Sequence, residues 1–234
     1  MDRRPPRPTP TLDDVLERAA ELQQVVPGAV LVGGSAAAHH AGHRLSFAHD
    51  HVVDDLGQRF DVVLDNLEAL GDWSTARVSS GKIILGELGG IETGVRQMFR
   101  ARPLEVEQVD MRGKALTVPT LEETLRIKAW LCVQRNQTRD YLDVAALSDR
   151  IGVGRAADLL SRIDDYYDEL NQRPETVATQ LARQLADPHP RDAAVTQHLA
   201  EYKQLDDRWH DWSTVVAQTR AVAVAMVGVD DADR

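Results

Sequence analysis

Residues 31–55, LVGGSAAAHHAGHRLSFAHDHVVDD, hold a hydroxyl behind two glycines, a set of histidines and a run of carboxylates. Gly33 and Gly34 turn the chain after an apolar run at 29–32, and Ser35 follows directly. Glycines at such a turn allow positive φ and let backbone approach a ligand closely. Ser35 then stands where free N–H groups at a helix N-terminus favour a phosphate. Arg44 and Ser46 lead into a strand-like segment, Ala48-His49-Asp50-His51-Val52-Val53. Side chains alternate along a strand, so Ala48 and Asp50 share one face. A carboxylate on that face can hold Mg²⁺ against the same phosphates. Gly-Gly-Ser alone also fits a plain strand-to-helix turn, because short glycine motifs are weak signals.

His49-x-His51 offers a second chemistry, zinc ligation, with His39, His40 and His43 nearby. No H-E-x-x-H and no Cys/His ligand spacing supports a metal hydrolase built on them.

The elements that must position these residues follow from periodicity. Residues 11–26 read as a helix, capped by Thr11 or Asp13 and ended by Pro27-Gly28. After the strand–turn–helix–strand stretch, residues 54–70 read as another helix. Residues 75–79, 82–88, 91–98 and 104–109 read as strands between Ser-Gly, Gly-Gly and Arg-Pro turns, with a short strand at 114–119. They are expected to continue one antiparallel or mixed sheet from the motif strand. Thr120 opens a helix as a capping box with Glu123. That helix is apolar nearly all round, yet Lys128 lies in its middle, where a lysine is unusual unless paired or functional. Asp140 and Asp143 lie three residues apart on one face of the next helix, near Arg135 and Arg139. Residues 156–170, 174–186, 192–205 and 212–227 are four further candidate helices.

The chain of 234 residues is 43% hydrophobic and 27% charged, an ordinary globular composition. Its net charge of −10 argues against a broad basic nucleic-acid surface and allows at most a local basic cleft. Arg96, Arg100, Arg102 and Arg112 are the arginines expected to line one. Cys132 is the single cysteine, which fits a reducing cytoplasm. No apolar run reaches a membrane span, and the proline-rich start lacks the apolar region of a secretory signal. Three segments are expected: a flexible arm at 1–10, a core at 11–119 and a helical domain at 120–234.

GGSAAAHHAGHRLSFAHDHV resembles the first motif of the AbiEii/AbiGii-type toxin nucleotidyltransferases, the MenT-like group of the polymerase-β-like superfamily. Their pattern is Gly-Ser, a spacer, then Asp-x-Asp. Lys128 in LRIKAWL, followed by Arg139-Asp140-Tyr141-Leu142-Asp143, resembles the downstream signature of the same group. The resemblance implies an α+β fold, a nucleotidyltransferase-type mixed sheet with packed helices and a C-terminal helical bundle. It implies a toxin neutralised by an antitoxin, using Mg²⁺ or Mn²⁺ to transfer a nucleotide from an NTP to an RNA, the tRNA 3′ end in some members. Gly34, Ser35, Arg44, Ser46 and Lys128 would then bind nucleotide, and Asp50 would ligate metal. Glu92, Glu105 and Glu107 are the acids available as a third carboxylate; Glu92 and Glu105 both fit, and Glu92 is taken with Asp50 as a metal ligand. Asp140 or Asp143 would position Lys128 or the acceptor. The departure is Ala48, which stands where relatives carry the first aspartate of the metal pair. Deliberate removal of that aspartate from a toxic enzyme is the reading taken for it. Natural loss, leaving a nucleotide- or protein-binding module, is the alternative.

Overall fold

The computed structural model describes residues 9–232. The arm expected at 1–10 lies outside the described residues as far as residue 8. Helix α1 (Leu12–Val25) starts on a complete capping box, in which Thr11 and Asp14 satisfy each other's backbone N–H groups. Its Val15, Leu16, Ala19, Ala20 and Leu22 form one buried stripe. Strand β1 (Val30–Val32) runs straight into α2 (Gly33–Ala41), so the two glycines are the first residues of the helix and not a turn before it. Gly42, at φ +64°, closes α2 in the left-handed conformation that glycine adopts without strain. Strand β2 (Ala48–Val53) returns antiparallel to β1.

Helix α3 (Leu56–Glu68) leads to β3 (Trp73–Ser79), β4 (Ile83–Leu88) and β5 (Ile91–Gln97). The sheet order is β1-β2-β5-β4-β3, mixed because β5 is parallel to β2 while the other pairs are antiparallel. Strands β6 (Val106–Met111) and β7 (Lys114–Pro119) leave that sheet and pair only with each other. The expectation of one continuous sheet is corrected here. Leu116 and Val118 of β7 turn into a core with Leu16, Ala19 and Leu31, which holds the hairpin against α1 and β1 instead.

Helices α4 (Leu121–Arg135), α5 (Thr138–Ile151), α6 (Val153–Leu160), α7 (Asp164–Tyr167), α8 (Val177–Ala186) and α9 (Trp212–Ala232) complete the chain. Thr120 caps α4, but Glu123 does not reach back to it. Its carboxylate is buried on Arg100 and Arg126, so the expected box is half made. The expected helix at 192–205 is instead a string of 3₁₀ turns. Backbone bonds leave the segment sideways, Leu45 N–H to the Lys203 carbonyl and Asp206 N–H to the His43 carbonyl. Lys203 and Gln204 take positive φ to make them. Residues 199–206 are thus a strap across the loop that joins α2 to β2. Helix α2 lies between two cores: Ala36 packs with α1 and β7, Ala37 with the C-terminal helices. The motif helix is therefore fixed from both sides.

Candidate functional site

Strand β2 alternates half-buried and buried residues, and Ala48, Asp50 and Val52 form the more open face. Register with β5 sets Ala48 opposite Glu92 and Asp50 opposite Gly94. Of the three candidate acids, only Glu92 is a neighbour on the sheet. Glu107 lies on the β6–β7 hairpin, and Glu105 just precedes it and accepts from the Tyr166 hydroxyl. Glycine at 94 is a steric need, since a Cβ there would lie 2.5 Å from Asp50 Oδ1. Gly33, at φ +77°, brings the start of α2 against the same carboxylate, 3.4 Å from where a Cβ would sit. Among the described residues no side chain caps the start of α2, where N–H groups lack a partner within the helix. Arg96 Nε lies 3.5 Å from Asp50 Oδ1, both side chains being nearly half exposed.

Ser35 is fully buried, and its hydroxyl donates to the Ala48 carbonyl. Ser46 donates to the same oxygen at 3.2 Å. Both serines therefore brace the backbone at position 48. Gly34 packs against the Arg44 guanidinium and Ser46 Oγ, each 3.0 Å from a Cβ built there.

Behind this face lies a saturated charge cluster. Asp143, fully buried, accepts from Arg44 Nε and Nη2 at 2.8 and 2.9 Å and pairs with Lys128 Nζ at 2.7 Å and His43 Nε2 at 2.8 Å. Burial alone would raise the Asp143 carboxyl. Arg44, Lys128 and His43 outweigh it and hold the group well below the usual carboxylate range. Burial pulls the Lys128 ammonium and the His43 imidazole down, against the pull of Asp143. Lys128 is only 2% exposed, so it faces Asp143 and not an open groove. Asp140 is a separate pair, held bidentately by Arg135 at 2.6 and 2.7 Å. The two aspartates of the Arg-Asp-x-x-Asp helix thus have different partners.

The expected arginine groove does not form. Arg96 faces Asp50, Arg100 is buried on Glu123, Arg102 stacks on Tyr166, and Arg112 pairs with Glu17. Their strands and loops diverge once β6 and β7 leave the sheet. His49 and His51 point to the buried face, away from Asp50. His49 is bonded to the Thr93 hydroxyl, and burial holds it down at about 3. Among the described residues, no third His, Cys, Asp or Glu joins that pair as a zinc ligand. Sequence reasoning missed two cations. Arg96 was assigned to the groove, although two residues after Gly94 it falls on the Asp50 face. Lys203 is carried by the strap toward Arg44, Arg139, Asp143 and Glu92, and a strap that reads as helix gives no signal for it.

A Helicobacter pylori protein assigned as a nucleotidyltransferase superposes with TM-score 0.56 at 15% identity, covering 95% of this chain and 96% of that one. The MenT4 nucleotidyltransferase toxin of Mycobacterium tuberculosis does so with TM-score 0.53 at 16% identity, over 92% and 82%. The chain has a nucleotidyltransferase fold. Within that fold, the strand pair β2–β5 and the glycine start of α2 form one open face. No protein-family profile matches the chain. By sequence it is 36% identical over 147 residues to the heme uptake protein MmpL11 of M. tuberculosis, covering 60% of this chain. It is 38% identical over 129 residues to the mycolic acid-containing lipids exporter MmpL11 of Mycolicibacterium smegmatis, covering 55%. The chain spans only 13–14% of the length of these two relatives. Among the described residues, no helix is long and apolar enough to cross a membrane.

Proposed function

We propose that the chain is a nucleotidyltransferase of the toxin type, impaired at one position, which in its complete form transfers a nucleotide from an NTP to an RNA acceptor such as the tRNA 3′ end. The reading is carried by the place of Ala48, on the same face as Asp50, opposite Glu92, with its carbonyl braced by Ser35 and Ser46.

As the chain stands, Asp50 and Glu92, on one face of paired strands, would hold at most one divalent ion shared with a triphosphate, since Arg96 flanks Asp50 and position 48 has no ligand. A bound Mg²⁺ or Mn²⁺ supplies charge compensation at the reacting phosphate. The chain's own residues do the rest. The first N–H groups of α2 receive phosphate oxygens. Arg96 and Lys203 supply the accessible positive charge. Asp143, held by Lys128 and His43, fixes the Arg44 guanidinium beside Gly34 and so the approach to the helix start. Lys128 acts through that cluster as a positioning residue. A cognate antitoxin and a cytoplasmic setting belong to the same proposal, as does a division into a core at 11–119 and a helical domain at 120–234.

The test is transfer by Ala48→Asp with each α-labelled NTP and total tRNA. Label on tRNA with the variant, and none with the parent chain, is the expected result. Label on neither tRNA nor protein would overturn the reading.

A second reading is a module that binds nucleotide or protein without catalysis. The Arg96–Asp50 pair favours it, because a guanidinium already stands beside the remaining metal carboxylate. The likeness to a segment of MmpL11 transport proteins also favours it, since such a segment could serve a larger protein as a docking unit. Retained NTP binding by the parent chain, with no transfer by Ala48→Asp, is its signature.

A further inference from the structure

The far end of α2 carries a different set of groups. His39 and His40 lie in its last turn, over Glu107 of β6. One ligand atom from each of the three lies within 4.8 Å of the others, the one such group of three among the described residues. His40 Nε2 is 2.7 Å from the Pro119 carbonyl of β7. A carbonyl only accepts, so Nε2 carries the hydrogen, and a metal would be met by Nδ1. That Nδ1 lies 3.9 Å from Glu107 Oε1. A histidine whose second nitrogen donates to a backbone carbonyl has the usual orientation of a metal ligand. The His39 ring meets the His40 ring edge-on at 5.0 Å. Burial, with His40 beside it, lowers the His39 imidazole.

We propose that His39, His40 and Glu107 form a binding site for one divalent transition-metal ion, zinc being the best match. Two imidazoles and a carboxylate suit zinc and leave a fourth position for water. Ligand atoms around a tetrahedral zinc stand about 3.4 Å apart, from bonds of 2.0–2.1 Å. His40 is fixed by Pro119, and the Glu107 side chain, 48% exposed, has the freedom to close the difference. The ion would clamp α2 to the β6–β7 hairpin, at the opposite end of the helix from Gly33 and Gly34. The site shares no residue with the Asp50 face and does not depend on the proposed transfer reaction.

The test is zinc titration of the tag-free full chain by calorimetry, with Co²⁺ as a visible-absorption probe. Glu107→Gln and His39→Asn are the variants, because both side chains are accessible enough to change without opening the core. One equivalent of zinc at micromolar or tighter affinity is expected, weakened at least about tenfold in each variant. A rise in melting temperature with zinc should vanish with Glu107→Gln. Asp50→Asn should leave the zinc affinity unchanged. No saturable binding, equal affinity in parent and both variants, or loss of binding with Asp50→Asn alone would each overturn the proposal.

Discussion

Asp50 and Asp143 each lie beside an arginine, in opposite surroundings. Asp50 is 42% exposed and touched by one cation at 3.5 Å, with Gly33 and Gly94 clearing space around it. Asp143 is fully buried and engages Arg44, Lys128 and His43 at once. A buried carboxylate with every lone pair used has nothing left for a substrate, and removing it strands charge. An exposed carboxylate with one weak partner costs little to hold and can take a new partner. The open half of the site thus keeps a carboxylate that can take a new partner, and the closed half fixes Arg44 beside Gly34.

The sharpest way to break this contrast is Asp143→Ala. It leaves Arg44 and Lys128 buried without a counter-charge and should destabilise the fold by about 3–5 kcal/mol in urea unfolding. A loss below about 1 kcal/mol would show that the cluster is not structural. Next is Ala48→Asp. It should raise transfer by on the order of a hundredfold or more, the scale of one stabilising group at a reacting centre, while the urea midpoint barely moves.

Acid should act first through the buried histidines. His49, buried and neutral, is held at about 3, while the unfolded imidazole titrates near 6.5. The unfolded chain therefore binds a proton that the folded chain refuses. Stability from this group is complete above pH 6.5 and falls by about 1.4 kcal/mol per pH unit as pH drops toward 3. His43 and His51, also lowered by burial, add in the same direction. A flat melting temperature between pH 6.5 and 4 would contradict it. The smallest effect is expected for Arg96→Gln, within about 1 kcal/mol in stability because the pair is solvated. Its effect should instead appear as altered metal and NTP affinity at the Asp50 face.

The motif strand and helix were legible because glycine punctuation and period-two alternation are local signals. The same alternation correctly put Ala48 and Asp50 on one face. What the sequence could not show is long-range. Glu92 is singled out from Glu105 and Glu107 by strand pairing alone, once β6 and β7 separate as a hairpin. Lys128 stood out as a charged residue on an apolar helix, but its partner lies on another helix. The strap reads as helix because Leu199, Tyr202 and Leu205 keep a helix-like spacing, while its own backbone bonds are short 3₁₀ ones and others run to His43 and Leu45. Ser35 does stand at a helix start, yet its hydroxyl serves the Ala48 carbonyl, a contact thirteen residues away.

The most direct test of the central claim, that position 48 is the missing piece of the open face, is Mn²⁺ binding followed by electron paramagnetic resonance in the presence of ATP or GTP. The parent chain, Ala48→Asp, and Ala48→Asp with Asp50→Asn should be compared. The account predicts that Ala48→Asp binds an additional nucleotide-dependent Mn²⁺, and that Asp50→Asn removes it. Equal Mn²⁺ binding by the parent chain and Ala48→Asp would contradict it.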